Sequence, residues 1–330
     1  MSKIFTDFNI GNSLPELCRK LFTEQKRNWP QLALACEGLA ATRLREIDCG
    51  YRVFLQHNPQ RAVNSGAALD AESIRNRPCF LCAANQPEEQ RGILYRNEYL
   101  ILCNPAPVFP GHLTIVHVNH QPQLLTDSIM PLLHLARDLA PDYCVFYNGP
   151  ACGASAPDHL HFQAIPVNSL PVENLPDKYL GEAGEYSAVK IIRGVNLDRA
   201  LVIMESANPE ALRRQLLILM AKATSLAGVV KEPKLNVIAI QEKLISRLII
   251  FFRSKHRPDA FFQEDDGRIF VSPGSVDMGG FIITPRENDF QRLAGDDIRK
   301  IYREVSVTPD LLNKILEARG ADNGFSQRHY

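Results

Sequence analysis

The stretch that decides the reading is Asn148-Gly149-Pro150-Ala151-Cys152-Gly153-Ala154-Ser155-Ala156-Pro157-Asp158-His159-Leu160-His161-Phe162-Gln163. Its last five residues alternate polar and apolar, the signature of a strand with one face buried. In an extended strand, residues i, i+2 and i+4 share a face. His159, His161 and Gln163 are therefore expected to project together, with Leu160 and Phe162 turned into a core. The loop before them is built from small residues, which let backbone N–H groups approach one anion closely. A neutral histidine beside such a loop suits attack on phosphorus, its second ring nitrogen held protonated by a hydrogen bond. His161 is then the candidate nucleophile. Gln163, Ser155, Asn148, Gly153 and the loop amides are candidates for holding the phosphoryl oxygens. Taken alone, a His-x-His pair is more often structural metal ligands or satisfied polar groups; the loop, Gln163 and the Cys79–Cys82 pair together reverse that balance.

Outward from this segment, strands are expected at Tyr51–Gln56, Ile93–Tyr95, Tyr99–Cys103, Leu113–Val118, Tyr143–Tyr147 and His159–Ile165, with a helix at 127–140. Residues 12–47 read as helical, broken at Pro30. The second half repeats the order weakly: a strand at Leu201–Met204, a helix at 209–227, and strands Asn236–Gln241 and Arg247–Arg253. That layout suggests a tandem duplication in which Ser246–Phe252 takes the place of Asp158–Gln163, without histidines. Two more strands, Ile269–Ser272 and Gly280–Thr284, and a helix at 296–318 complete the chain. The expected organisation is an N-terminal helical segment (1–48), a catalytic module (49–168), a Pro/Gly linker (169–187), a second, degenerate module (188–318) and a mobile polar tail (319–330). The fold class is α+β, with antiparallel sheets flanked by helices.

Composition bounds the partners. The 330 residues include 37 Lys+Arg and 37 Asp+Glu, so no global basic field draws in nucleic acid or an anionic membrane. Apolar runs such as Leu216–Met220 and Leu248–Phe252 fall far short of a membrane span. The N-terminus lacks a signal-peptide pattern, so a cytoplasmic protein is expected. Of eight cysteines, only Cys79 and Cys82 form a Cys-x-x-Cys pair. In a reducing compartment such a pair points to metal or redox work, or stands as two free thiols. No organic cofactor is indicated.

The segment 148–163 resembles the active-site region of the histidine-triad superfamily. More narrowly, it is similar to the branch of galactose-1-phosphate uridylyltransferase, diadenosine tetraphosphate phosphorylase and the GDP-hexose phosphorylases. Cys79-Phe80-Leu81-Cys82, Asn58-Pro59-Gln60-Arg61 and Pro110-Gly111-His112-Leu113 extend the likeness over roughly residues 50–166. The resemblance implies tandem histidine-triad-like modules and a nucleotidyl-His161 intermediate. The donor would be a nucleoside diphosphate sugar or dinucleoside polyphosphate, the acceptor phosphate or a sugar phosphate. Gln163 stands where hydrolase relatives carry a third histidine, which favours transfer over hydrolysis. A hydrolase and a non-catalytic nucleotide- or zinc-binding protein are the rival readings.

The resemblance also implies a structural zinc on Cys79, Cys82, His120 and His159, with His117 competing for the third place. Arg61 would meet substrate phosphate or be a surface arginine. Asn97 and Asn104 match base and ribose contacts, although Asn104-Pro105 reads equally as a turn. Arg253, Lys255 and Arg257 would meet the leaving or accepting phosphate, or form a solvated strand end. Asp277 has no assigned role. Relatives of this kind are commonly dimeric, which implies a homodimer here or a tandem repeat that serves as an internal one.

Overall fold

The computed structural model describes residues 3–8, 11–62, 73–74, 77–264 and 267–317. The tail expected from residue 319 lies outside them. Helix α1 (Leu14–Asn28) opens with Ser13 accepting the Glu16 amide at 3.4 Å, and it buries Leu14, Cys18, Leu21 and Gln25 along one stripe. It ends at Trp29, held extended because a residue before proline is excluded from helical geometry. Helix α2 (Pro30–Ala40) follows.

The helical reading of 12–47 fails beyond Ala40. Residues Arg43–Asp48 form strand β2, antiparallel to β3 (Arg52–His57). Cross-strand pairing there outweighs the weak helical preference of the segment.

The further strands are β1 (Ile4–Asp7), β4 (Gly92–Tyr95), β5 (Tyr99–Cys103), β6 (Leu113–His117), β7 (Tyr143–Asn148), β8 (His161–Pro166), β9 (Leu180–Tyr186), β10 (Val189–Gly194), β11 (Leu201–Ser206), β12 (Leu235–Glu242), β13 (Ile245–Phe252) and β14 (Phe281–Thr284). Helix α3 (Ile129–Asp138) lies between β6 and β7, and α4 (Pro209–Ala227) between β11 and β12. Later come α5 (Ser275–Met278), α6 (Glu287–Arg292), α7 (Gly295–Val305) and α8 (Pro309–Leu316). The single helix expected at 296–318 is thus two, the second capped by Thr308 with Pro309 at its first position.

Eleven strands form one sheet, ordered β1-β4-β5-β6-β8-β7-β12-β13-β11-β10-β9. From β4 to β7 and, read backwards, from β9 to β12, the order is the same: hairpin, strand, helix crossover, then two strands of which the later sits inside. The two blocks meet antiparallel at β7 and β12, with Asn148 opposite Asn236. The expected duplication therefore appears as one topology used twice.

Two expectations about its second half are corrected. The supposed linker 169–187 contains β9, which among the described residues lies at the edge of the sheet, and its Leu-Gly-Glu-Ala-Gly-Glu-Tyr sequence lacks apolar alternation. Ile269–Ser272 forms no strand.

A three-stranded sheet, β14-β3-β2, lies apart from the large one. One face of the large sheet packs under α1, α3, α4 and α8, through Leu21, Leu132, Leu216 and Leu312. The other face meets the small sheet and α7, through Val53, Leu55, Ile282 and Ile298. A cleft opens on this second face, over β6, β7 and β8.

Candidate active site

The alternation of β8 sets the site. Phe162 and Ala164 enter the helix-side core, while His161 and Gln163 line the cleft. His159 does not share their direction as expected. The strand begins only at His161, and His159 sits in the turn before it with its ring toward Cys79. The cleft has a volume of about 970 Å³.

His161 is buried, and its Nδ1 lies 2.8 Å from the His159 carbonyl oxygen. A carbonyl accepts only, so Nδ1 carries the proton and Nε2 keeps its lone pair. Burial pushes the imidazole pKa down to about 4, which keeps the ring neutral at pH 7. Gln163 is oriented by a residue that sequence reasoning quoted but did not assign, His112. Its Nδ1 accepts the Val108 amide at 3.3 Å, so its Nε2–H donates to Gln163 Oε1 at 2.9 Å. Burial and the nearby Arg61 cation lower the His112 pKa to about 3, fixing the neutral ring. With Oε1 taken, the Gln163 amide nitrogen is the part left to donate. Asn104 supports this arrangement: Nδ2 donates to Thr114 Oγ1 at 3.0 Å, and Oδ1 accepts the Ala106 amide at 2.9 Å. Asn104 thus makes the turn and also lines the cleft.

The loop after β7 passes close to the second half. Gly153 has φ +94°, and a Cβ there would stand 2.7 Å from the Gly274 Cα, so a side chain is excluded on both counts. Gly153, Ala154 and Ser155 line the cleft. Among the described residues their amides donate to no protein acceptor. The Ser155 carbonyl accepts from Arg77 Nη2 at 3.1 Å, and the same nitrogen meets Asp158 Oδ1 at 3.2 Å. Arg77 also lines the cleft, and no sequence motif marked it. Asn148 is used structurally: its Oδ1 accepts from Asn236 Nδ2, the Ser275 amide and Ser275 Oγ at 2.9, 2.7 and 2.8 Å.

The opposite wall of the cleft carries Arg61, His256, Arg257, Ser272 and Asp277. Arg61 Nη1 donates to the Ala106 carbonyl at 2.8 Å. Arg257 Nε donates to Ser272 Oγ at 2.9 Å, and its guanidinium lies 4.2 Å from the Phe261 ring centre. Asp277 accepts the Gly274 and Ile283 amides at 2.9 and 3.0 Å, and burial raises its pKa to about 6.

Three proposed substrate contacts stand elsewhere. Asn97 occupies the β4–β5 turn with φ +58°. Lys255 pairs with Asp259 and with Glu304. Arg253 is buried, and its guanidinium is spent on Asn236 Oδ1 and the carbonyls of Val305, Pro273, Lys255 and His256.

Cys79, Cys82, His120 and His159 converge at the edge of the site, their ligand atoms all within 4.8 Å of one another. Cys79 Sγ to His159 Nδ1 and Cys82 Sγ to His120 Nδ1 are both 3.3 Å. A tetrahedral zinc with ordinary Zn–S and Zn–N bonds needs S···N edges of about 3.6 Å, so the cluster fits a metal with little adjustment. His159 Nε2 donates to the His117 carbonyl at 2.7 Å, which leaves Nδ1 as the ligand. His117 thus contributes its carbonyl, and its ring is not in the cluster. His120 Nε2 faces Asp158 Oδ2 at 3.8 Å.

Fold and site together define an α+β protein with one strand order used twice, whose cleft holds the buried neutral rings of His112 and His161 beside the 149–158 loop. The yeast Ap4A phosphorylase Apa2 shares the fold: its crystal structure matches with a TM-score of 0.63 at 17% identity, covering 89% of this chain and 97% of that one. Its complex with Ap4A gives 0.62 at 16% identity, covering 89% and 97%. Its complex with AMP gives 0.57 at 17% identity, covering 96% and 99%. Residues 21–166 match a family described as a domain of unknown function, DUF4922. No curated protein matches the chain in sequence. Among the described residues, no helix is long and apolar enough to cross a membrane.

Proposed function

We propose that this protein is a nucleotidyltransferase of the phosphorylase type, with His161 as nucleophile. The observation that carries the reading is the His161 Nδ1–H bond to its own turn, which leaves Nε2 unprotonated in the cleft. Nε2 attacks the α-phosphorus of a nucleoside diphosphate sugar or dinucleoside polyphosphate. The N–P bond forms and the bond from α-phosphorus to the bridging oxygen breaks. The leaving phosphate departs with that electron pair. The positive charge gained by the ring is shared with the His159 carbonyl through Nδ1–H. Inorganic phosphate or a sugar phosphate then takes the nucleotidyl group from Nε2. Gln163 Nε2 and the amides of Gly153, Ala154 and Ser155 stabilise the phosphoryl oxygens as charge builds. Arg61, Arg77 and Arg257 offset the remaining phosphate charge.

The shared fold supports this reading, because the yeast protein is an Ap4A phosphorylase with structures holding Ap4A and AMP. Cys79, Cys82, His120 and His159 would hold a structural zinc, which when bound supplies bracing and no open coordination position. All eight cysteines are free, which suits a reducing compartment such as the cytoplasm. The antiparallel β7–β12 junction would serve as an internal dimer in place of a homodimer.

The test is rapid-quench labelling with α-³²P donors: UDP-, GDP- and ADP-sugars and diadenosine tetraphosphate, each with and without phosphate. Label on the protein, its chase by phosphate, and its absence in His161→Ala are the expected results. No label from any donor, or undiminished turnover in His161→Ala, would sink the proposal. The pH dependence is a second check. With a folded pKa of about 4, labelling should be level from pH 8 to about 5. Below about pH 4 it should fall about tenfold per unit, as Nε2 takes a proton.

A further inference from the structure

Strands β7 and β8 stop pairing at Phe146 opposite Gln163. Two residues on, Asn148 and His161 would face each other in the same register. The side chain of Gln123 stands there instead. It is fully buried, with Nε2 donating to the Asn148 carbonyl at 2.9 Å and the His161 carbonyl at 3.0 Å, while Oε1 accepts the His161 amide at 2.8 Å. One carboxamide thus completes the hydrogen bonding of two parted strand ends. A buried backbone group left unpaired at this place would cost as much as a lost hydrogen bond. With the groups satisfied, the chain can leave β7, form the 149–158 loop and return at His161.

Gln123 is itself held. Its amide donates to the Pro157 carbonyl at 3.2 Å, and its carbonyl lies 3.1 Å from the Tyr147 hydroxyl. That hydroxyl contacts Glu232 Oε1 at 2.5 Å, and Glu232 Oε2 accepts the Leu125 amide at 2.8 Å. Glu232 lies just before β12, so the chain of contacts runs from the second half to the nucleophile's backbone.

We propose that Gln123 is the positioning residue of His161, a wedge that fixes its backbone so that Nδ1–H meets the His159 carbonyl and Nε2 meets the cleft. The kinetic arm of its test rests on the nucleotidyl-transfer reading; the spectroscopic arm does not. Gln123→Met keeps the length and removes all three bonds. Histidine ¹⁵N NMR of the full chain, with His161 assigned by its loss in His161→Ala, should show the Nδ1–H tautomer in the wild type and a mixed tautomer in Gln123→Met. Single-turnover labelling should slow about 100-fold, the scale of a misplacement near 1 Å, with AMP affinity unchanged within about twofold.

Gln123→Glu gives a second, independent reading. As a carboxylate it would face two carbonyls at donor distance; as the acid it can donate to one of them. Its labelling rate should therefore rise as pH is lowered from 8 to 6, while the wild type stays level. It also answers the question if Gln123→Met does not fold. Wild-type labelling rates in both variants would overturn the proposal, and so would an unchanged His161 tautomer in Gln123→Met. Absence of label in the wild type with every donor would sink the function reading alone, and the NMR comparison would then decide this one.

Discussion

The two halves of the large sheet place the same strand in the same slot and give it opposite tasks. In the first half, β8 lies between β6 and β7 and turns His161 and Gln163 to the cleft. In the second, β13 lies between β11 and β12 and turns Ile249 and Phe251 to that same face, where both are fully buried. They join the apolar cluster beneath the small sheet, with Ile203, Ile238 and Val276. The second half has thus filled the position of His161 with core. Its polar residues serve the first half instead: Asn236 binds Asn148, and Arg253 ties Asn236 to the carbonyls of Pro273 and His256 on the cleft's far wall. One fold used twice can hold the polar cleft strand in one copy and the cleft's outer wall in the other.

The largest break in this comparison is expected at Gln163. Gln163→Leu removes the amide proposed to donate to the phosphoryl oxygens and strips His112 of its acceptor. Labelling of His161 should slow about 10²- to 10³-fold. Its counterpart in the other half, Phe251→Leu, should cost on the order of 1–3 kcal/mol of stability and change labelling less than about twofold. Rapid-quench rates and denaturant melts on both variants measure the two effects. Comparable kinetic losses would mean that the halves share the chemistry.

The duplication was legible because strand order and the 209–227 helix leave strong apolar patterns. The shared cleft face of His161 and Gln163 was legible because a strand of period two shows its faces in sequence. The linker was misread because β9 is an edge strand, and its glycine- and glutamate-rich sequence carries no signal of the pairing that β10 supplies. His159 was put on the wrong face because a strand's first residue is set by what the turn packs against, here Cys79 and the His117 carbonyl. Arg253 looked like part of a basic cluster, yet its partners come from residues 236, 273 and 305 as well as 255 and 256, which no local pattern foretells. Gln123 and Arg77 act through contacts 38 and 78 residues away in the chain, so composition and spacing were silent about them.

Cys79→Ser separates the halves in a second way. The cluster of Cys79, Cys82, His120 and His159 belongs wholly to the first half, and among the described residues no comparable group lies in the second. The purified protein should carry one zinc by elemental analysis, and Cys79→Ser should carry none. Its unfolding midpoint should fall by about 5 °C, since a metal bound only by the folded state adds its binding free energy to stability. Labelling should slow about tenfold, because the residue whose carbonyl accepts His161 Nδ1–H would lose its anchored ring. A zinc-free wild type with full labelling would remove the metal from the account.

The smallest expected effects lie within one short segment of the second half, just after β13. Arg257 and Lys255 both belong to the basic cluster, but only Arg257 lines the cleft. Lys255 is turned to Asp259 and Glu304, an exposed pairing of the sort worth little in water. Arg257→Ala should raise the KM for phosphate about tenfold, with the first labelling step less affected, because in the proposed reaction its wall would meet the phosphates beyond the one attacked. Lys255→Ala should leave both steps within about twofold. Equal losses in the two variants would mean that charge near the cleft, and not contact within it, is what the second half contributes.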